Sequence, residues 1–222
     1  FIPIQFTFTI KHPATIRADE GVIYLNHIQS VIGRHGPPLS KDFNPELLLG
    51  QKTNVAIKDG KISELGSVRP SATKTINADG LIISPGFIDT HTHYDAQLNW
   101  DPYASLSGWF GVTSLTVGQC GFGFAPTRPG DRDLNMRMMN RIEAIPLESM
   151  RQGMRWDWET FPEYMDSLDR QGLGVNVGAL VPFSPLRGYV LGMMEARERT
   201  SVTESELNQM KQALVEIYSF SD

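Results

Sequence analysis

The stretch from Leu81 to Tyr94, LIISPGFIDTHTHY, constrains this 222-residue chain more than any other part of it. An apolar strand pattern breaks at Pro85-Gly86, resumes, and ends at His91 and His93. In an extended chain, side chains at positions i and i+2 lie on the same face. The two imidazoles are therefore predicted to point the same way, an arrangement that suits a divalent transition metal. A bare His-x-His pair is more often ordinary, so the assignment depends on what surrounds it.

A second strand pattern supplies that context, because it ends close to the only cysteine of the chain. The run from Val112 to Val117 is typical of a strand, and Cys120 follows it in a Gly-rich loop. Two imidazoles and a thiolate form a ligand set typical of zinc, and three protein ligands are common at catalytic zinc. We predict that His91, His93 and Cys120 bind a metal. The other histidines, at 12, 27 and 35, have no ligand-like spacing.

The residues GFIDTHTHYD and then GVTSLTVGQCGFGFAP resemble the amidohydrolase superfamily and, within it, the N-acyl-D-amino-acid deacylases (D-aminoacylases). The resemblance extends from about Asn54 to about Val215, and the cysteine motif is its more specific part. It implies a zinc-dependent hydrolase that deacylates N-acyl-D-amino acids and uses one or two ions. Cys120 would take the bridging position that a carboxylated lysine fills in many relatives. The family usually has Asn before the cysteine, whereas this chain has Gln119.

The resemblance also implies ligands that this chain does not carry. The family divides the three predicted ligands between two metal positions, and its remaining histidines and general-base Asp come from later strands. No histidine follows His93, so we expect those groups beyond residue 222. From Pro85 onward there are 222 − 84 = 138 residues, whereas a complete eightfold barrel takes about 250. We expect the N-terminal portion of such an enzyme, and a truncated, non-catalytic fragment is an alternative.

A cyclic-amide hydrolase, similar to a hydantoinase or dihydropyrimidinase, is a further alternative. A lysine at a strand end in place of Cys120 would favour it, and no lysine lies between Ala96 and Gln209. A nucleophilic role for Cys120 is less favoured than a metal role, because the two nearest histidines are assigned to the metal. Asp89 is a candidate neighbour of the metal ligands, on the same predicted strand face as His91.

Two further residues are candidate substrate contacts. Asp95 follows the histidine pair closely in sequence, and Arg187 lies in the segment PFSPLR, where many relatives carry a Gly-His pair instead of Pro182-Phe183. An arginine can bind a substrate carboxylate through two parallel hydrogen bonds. An ordinary surface arginine is the competing interpretation of Arg187.

The predicted fold class is α/β, with a partial TIM-type (β/α) barrel preceded by a small β-sandwich domain. Residues 1–52 match the family pattern poorly, although the alternation over residues 1–10 predicts a strand. Residues 53–84 contain two hairpin signals, Asp59-Gly60 and Asp79-Gly80, and by resemblance form part of the β-sandwich. Residues 85–222 alternate strand and helix patterns, which is typical of parallel βα units, and are assigned to the first part of the barrel.

Within that last region the sequence predicts particular elements. Three strands are predicted, at Phe87–His91, Val112–Val117 and Val175–Phe183, and the third is apolar enough to be buried on both faces. Helices are predicted at Pro102–Gly111, whose aromatic residues are expected to pack against the sheet, and at Asp131–Ile145 and Phe161–Arg170. Thr203 and Glu206 form a capping-box pattern that predicts the start of a last helix.

The composition excludes several classes of partner. A net charge of −5 without a long basic run argues against nucleic acid and anionic membranes. The resemblance to the deacylases implies a small-molecule N-acyl amino acid substrate. No apolar stretch reaches the roughly 18 to 20 residues of a membrane span. One cysteine suits a reducing compartment, and the start lacks the order of a signal peptide, so we expect a cytoplasmic protein. The chain does not begin with Met, and we expect that its true beginning is missing.

Overall fold

The computed structural model describes residues 6–8, 14–16, 22–28, 30–31, 53–58, 61–66, 72–78 and 82–219. The strands are β1 (Phe6–Phe8), β2 (Ala14–Ile16), β3 (Val22–Ile28), β4 (Ser30–Val31), β5 (Thr53–Lys58), β6 (Lys61–Leu65), β7 (Lys74–Asn77), β8 (Ile82–Pro85), β9 (Phe87–Asp89), β10 (Val112–Val117) and β11 (Asn176–Ala179). The α-helices are α1 (Ser105–Trp109), α2 (Arg132–Glu143), α3 (Leu147–Gly153), α4 (Phe161–Gln171), α5 (Phe183–Leu191), α6 (Met193–Glu198) and α7 (Glu204–Ser219). None of these helices is both long and apolar enough to cross a membrane.

The chain divides into two compact units. One consists of residues 1–88 and 106–113, and the other of residues 89–105 and 114–222. The mixed α/β character predicted from the sequence is confirmed. The described residues do not form a closed barrel, and the barrel and sandwich assignments stay predictions.

The first unit contains two four-stranded sheets, with strand orders β6-β5-β3-β7 and β2-β1-β8-β4. The first predicted hairpin is confirmed, since β5 and β6 pair antiparallel with Lys58 opposite Lys61. The turn residues Asp59-Gly60 themselves lie outside the described part of the chain. Three consecutive residues of β5 are buried, Val55, Ala56 and Ile57.

The second predicted hairpin is wrong, because the strands on either side of Asp79-Gly80 belong to different sheets. Strand β7 pairs in parallel with β3, whereas β8 pairs antiparallel with β1 and in parallel with β4. An Asp-Gly pair favours a turn locally, but it does not decide which strand provides the hydrogen-bonding neighbour. Here the neighbours come from residues 6–31, where the sequence pattern was least clear.

A three-stranded sheet with the order β11-β10-β9 carries the two candidate ligand segments. Strand β10 has the predicted bounds, and it pairs in parallel with β11 from Ser114 opposite Asn176 to Val117 opposite Ala179. Leu115 and Val117 are buried. The carboxyl ends of β10 and β11 therefore lie side by side.

Strand β11 is shorter and less buried than predicted. It ends at Ala179, and helix α5 begins at Phe183. The prediction of a strand to Phe183 buried on both faces is wrong, since Gly178 is exposed and the other three residues of β11 are half-buried. Pro182 precedes the helix, and a proline suits a helix start because the first helical positions need no N–H donor.

The longer helices agree with their predictions. Both ends of helices α2 and α4 lie within two residues of the predicted ends. Helix α7 begins at the predicted capping box. Thr203 Oγ1 accepts a hydrogen bond from the Glu206 N–H at 3.2 Å, and Glu206 accepts one from the Thr203 N–H at 2.7 Å. Helices α3, α5 and α6 were not predicted, since they are short and begin beside Pro or Gly.

The aromatic residues between Pro102 and Gly111 do not pack as predicted. Helix α1 has only five residues, and the exposed fractions of Tyr103, Trp109 and Phe110 are 65%, 64% and 71%. Only Trp109 of these three residues lies within α1, so the helical spacing on which the prediction depended does not extend to Tyr103 and Phe110.

An aromatic cluster forms much of the core of the second unit. Trp158 and Tyr164 are almost fully buried with ring centroids 5.1 Å apart, and Trp156 lies 5.1 Å from Trp158. The Trp158 indole N–H donates to the Phe124 carbonyl at 3.0 Å. Because Phe124 follows Cys120 by four residues in the same loop, this hydrogen bond joins the aromatic cluster to the segment that carries the cysteine.

Candidate metal centre

The structure brings together the three residues that the sequence assigns to a metal. His91 and His93 follow strand β9, and Cys120 follows strand β10. One possible ligand atom from each lies within 4.8 Å of the other two. The Cys120 Sγ is 3.3 Å from His91 Nε2, and the centroids of the two imidazole rings are 5.5 Å apart. These distances place two nitrogens and one sulfur around a common point.

Thr92 aims the two histidines by attaching the residue between them to strand β10. Its N–H and its hydroxyl both donate to the Thr116 carbonyl, at 3.1 and 2.9 Å, and the residue is buried. Because neighbouring side chains of an extended segment alternate in direction, His91 and His93 share the opposite side. Asp89 Oδ1 accepts a hydrogen bond from the His91 backbone N–H at 3.1 Å, so this carboxylate holds the backbone of that residue.

The loop after β10 has an unusual backbone that presents the thiol. Gly118, Cys120 and Gly121 have φ values of +78°, +56° and +77°. A non-glycine residue in the left-handed region costs about 1–2 kcal/mol, so Cys120 needs support from its neighbours. Gly118 cannot be replaced easily, because a Cβ there would lie 2.1 Å from the Leu180 carbonyl oxygen. Cys120 itself is exposed.

Gln119 connects the cysteine loop to the histidine segment. Its side-chain amide donates to the Thr90 carbonyl at 2.7 Å, one residue before His91. The departure from the usual asparagine therefore has a structural use here: the longer side chain spans the distance between the two segments that carry the ligands.

Glu143, at the end of helix α2, adds a negative charge that sequence reasoning missed. Its Oε1 lies 3.6 Å from His93 Nε2, and both side chains are only about one-fifth exposed. The two residues are fifty positions apart in different elements, so no local pattern signals the pair. The other ring nitrogen, His93 Nδ1, is buried and has no hydrogen-bond partner within the described ranges. A buried ring nitrogen without a hydrogen-bond partner is compatible with metal ligation when it carries no proton.

Asp95 lies in the interior, two residues after His93 in the chain. It is 2% exposed, and its Oδ1 accepts a hydrogen bond from the Gly118 N–H at 2.9 Å. Burial raises the pKa of this carboxyl to about 7; the hydrogen bonds from its own backbone and from Gly118 oppose the rise, and the charge of Glu143 adds to it. Substrate contact by Asp95 stays a prediction, and the structure places its carboxyl in the interior with the Gly118 N–H as a partner.

Arg187 lies on helix α5 with its guanidinium directed at the chain itself. Its Nη2 donates to the Arg199 carbonyl at 2.5 Å, which connects α5 to the end of α6. Arg199 in turn forms a two-pronged ion pair with Glu206, with distances of 2.7 and 2.8 Å. Substrate binding by Arg187 stays a prediction, and the structure gives this side chain a role in joining helices.

Comparisons with known proteins show which proteins this chain resembles. The model of the amidohydrolase family matches residues 74–216. An uncharacterized protein of Mycobacterium tuberculosis is 34% identical over 168 residues, which are 73% of this chain and 27% of that protein. The D-aminoacylase of Alcaligenes xylosoxydans xylosoxydans is 27% identical over 165 residues, which are 73% of this chain and 31% of the enzyme. This chain therefore spans less than a third of the length of these relatives.

Two solved deacylase structures resemble this chain in their fold. A D-aminoacylase studied for the functional role of its binuclear metal centre superimposes with a TM-score of 0.60 at 24% identity, over 86% of this chain and 35% of the enzyme. The N-acyl-D-glutamate deacylase of Bordetella bronchiseptica, complexed with zinc and a phosphonate inhibitor, gives 0.57 at 24% identity, over 88% and 35%. The chain shares the fold of part of these enzymes.

Proposed function

This chain belongs to the amidohydrolase family, and we propose that it forms part of a zinc-dependent hydrolase of non-peptide C–N bonds that deacylates N-acyl-D-amino acids. The observation that carries the proposal is the convergence of two imidazoles and one thiol at the ends of adjacent strands. The deacylase names of the relatives support the choice of substrate class. The substrate is then a small molecule, and the assignment involves neither nucleic acid nor a membrane.

The residues present fit zinc by the chemistry of the donor set. Imidazole and thiolate are its common protein ligands, and soft sulfur disfavours magnesium and calcium. We assign His91, His93 and Cys120 to one or two ions. A bound zinc ion would supply Lewis-acid polarisation of the amide carbonyl and would lower the pKa of water towards about 7. The chain's own residues orient the ligands: Asp89 holds the His91 backbone, and Glu143 lies beside the His93 ring.

We propose the same division of the chain that the sequence suggests. Residues 85–222 supply the first part of a metal-dependent barrel, residues 53–84 supply part of a β-sandwich, and residues 1–52 stay without an assigned role. Because the chain spans about a third of the solved deacylases, the general-base Asp and further ligands are proposed to come from outside these 222 residues. A non-catalytic product of this length is the competing possibility.

Zinc binding by the 222-residue chain tests the first step of this proposal. The apo chain is titrated with zinc against a chromophoric chelator, alongside variants Cys120→Ala and His91→Ala. Both variants should bind zinc much more weakly, since each removes a ligand atom. His35→Ala is the matched control, because His35 has no ligand-like spacing, and it should bind like the wild type. Equal zinc affinity in all four chains would contradict the assigned metal centre.

Turnover tests the second step. The zinc-loaded chain is incubated with N-acetyl-D-methionine, with its L enantiomer and with hydantoin, and release of the free amine or ring opening is measured. Preferential hydrolysis of the D enantiomer would support the deacylase, would exclude the non-catalytic product and would contradict the proposal that the general base lies outside these residues. Ring opening alone would replace the deacylase with the cyclic-amide hydrolase. Zinc binding without turnover would mean that this length of chain holds metal ligands but lacks the general base.

A further inference from the structure

Asp95 is a buried polar residue near the candidate metal centre that joins both ligand segments to the core. It lies two residues after His93, and its carboxylate accepts the N–H of Gly118, two residues before Cys120. Its backbone carbonyl accepts a hydrogen bond from the Tyr164 hydroxyl at 3.0 Å, on the buried face of helix α4. One residue thus connects the histidine segment, the cysteine loop and the aromatic core.

The cysteine loop is shaped closely around this carboxylate. A Cβ added at Gly123 would lie 2.9 Å from Asp95 Oδ1, so the returning half of the loop also passes directly over it. Asp95 Oδ2 is buried and has no hydrogen-bond partner in the part of the chain that the structure describes. A buried carboxylate with only one satisfied oxygen is costly for stability, and such groups persist where they have another use.

The backbone of the loop explains what that use is. Gly118, Cys120 and Gly121 all have left-handed φ values, and at Cys120, which is not a glycine, such a conformation persists only when the surroundings over-determine it. The hydrogen bond from the Gly118 N–H fixes the peptide at which the loop departs from β10. Without it, that peptide could rotate, and the Cys120 Sγ would lose its fixed position relative to His91 Nε2 even with the Gln119 amide still bonded to the Thr90 carbonyl.

We propose that Asp95 is a positioning residue for the metal centre, whose carboxylate fixes the cysteine loop so that the Cys120 sulfur meets the two imidazoles. This inference rests on the proposed zinc site and deepens it. It assigns Asp95 no contact with substrate or metal. What matters is an acceptor oxygen at the Oδ1 position, so an amide should replace the carboxylate and an isosteric hydrocarbon should not.

The test uses Cys120 as a reporter, because it is the only thiol of the chain. Zinc bound to the thiolate protects it from a chromogenic disulfide reagent, so the zinc concentration that halves the reaction rate measures binding at the sulfur. Asp95→Leu should raise that concentration by about 10- to 100-fold, the usual effect of losing a residue that orients a metal ligand. Asp95→Asn keeps the acceptor oxygen and should stay close to the wild type.

A control separates positioning from a general loss of stability. Met210→Ala opens a cavity in the cluster of Leu186, Leu191 and Met210, which is formed by helices α5 and α7, and leaves the Asp95 to Gly118 bond intact. It should lower the melting temperature without moving the half-protection concentration. Asp95→Leu removes a buried carboxylate of which only one oxygen is hydrogen-bonded. We therefore expect its melting temperature to fall only slightly, while its zinc affinity falls strongly.

Cobalt substitution gives a second readout of the same geometry. In the wild type and in Asp95→Asn, a thiolate-to-cobalt charge-transfer band should appear in the near ultraviolet, and in Asp95→Leu this band should be lost or strongly reduced. Wild-type protection by zinc together with unchanged protection in Asp95→Leu would overturn the positioning role alone. A wild-type chain with neither protection nor the band would overturn the metal centre itself, and the inference with it.

Discussion

Replacement of Gly118 by alanine tests whether the cysteine loop is built as described. The new Cβ would lie 2.1 Å from the Leu180 carbonyl oxygen, whereas ordinary contacts begin at 3.4 Å. This oxygen belongs to backbone whose N–H bonds the Val117 carbonyl at 3.0 Å, so it cannot move away without loosening the extension of β11 against β10. Gly118 also has a φ of +78°, which an alanine adopts only at a cost in free energy.

The two effects can be given magnitudes. A left-handed φ costs a non-glycine residue about 1–2 kcal/mol. Forcing an extra carbon into a packed site typically costs a further 1–3 kcal/mol or so. Gly118→Ala should therefore lower the free energy of unfolding by about 2–5 kcal/mol, the sum of these ranges. Because Gly118 precedes Cys120 by two residues, zinc affinity should fall as well.

Gly121→Ala is the matched control, in the same loop and with almost the same φ of +77°. Its Cβ would meet the Phe183 Cβ at an ordinary 3.8 Å, so only the backbone cost of about 1–2 kcal/mol applies. Urea unfolding followed by tryptophan fluorescence gives both free energies from midpoints and slopes. If the two variants are destabilised equally, the close approach of Gly118 to Leu180 is not present in solution and the reasoning fails.

Three further predictions concern the support of the site. Thr160→Ala removes the N-cap of helix α4 and should lower stability by about 0.5–2 kcal/mol in thermal unfolding. Met139→Ala empties a fully buried position in helix α2 and should cost about 2–5 kcal/mol. Burial pulls the pKa of Asp157 upward, but hydrogen bonds from Ser167 and Arg170 outweigh it and hold the pKa below its ordinary value. As pH falls through the acid range, Asp157 takes up a proton at a higher pH in the unfolded chain than in the folded chain, so the free energy of unfolding decreases. Asp157→Asn should lessen that decrease.

Each of these has a matched comparison. Thr160→Ser keeps the accepting hydroxyl and should retain most of the stability that Thr160→Ala loses. Met139→Leu nearly conserves volume and should cost less than about 1.5 kcal/mol. A Met139→Ala variant as stable as the wild type would show that helix α2 does not pack as described. For Asp157, identical pH profiles of the variant and the wild type would refute the assigned hydrogen bonds.

Local patterns in this sequence predicted local structure well. Strand β10 has its predicted bounds, and the capping box at Thr203 starts a helix, because both depend on residues close in sequence. The family was recognisable from the two motifs around the ligands, and the family match over residues 74–216 confirms it. The convergence of His91, His93 and Cys120 was also predictable, because it depends on side-chain alternation in one strand and on one loop that carries the cysteine.

Features that depend on distant neighbours were not predictable. The strands on either side of Asp79-Gly80 enter separate sheets, because their partners come from residues 6–31. Glu143 reaches His93 from the end of another helix, and the burial of Asp95 becomes visible only when β10 and helix α4 are in place. The exposed rings of Trp109 and Phe110 follow from the shortness of α1, which apolar spacing alone does not reveal.

X-ray absorption at the zinc edge of the zinc-loaded chain tests the central claim most directly. Scattering from one sulfur at about 2.3 Å together with nitrogen shells near 2.0–2.1 Å is the signature of bound cysteine and histidine. We predict that signature in the wild-type chain, with the sulfur shell absent in Cys120→Ser. A zinc spectrum that shows only nitrogen and oxygen neighbours in the wild type would contradict a centre made of His91, His93 and Cys120.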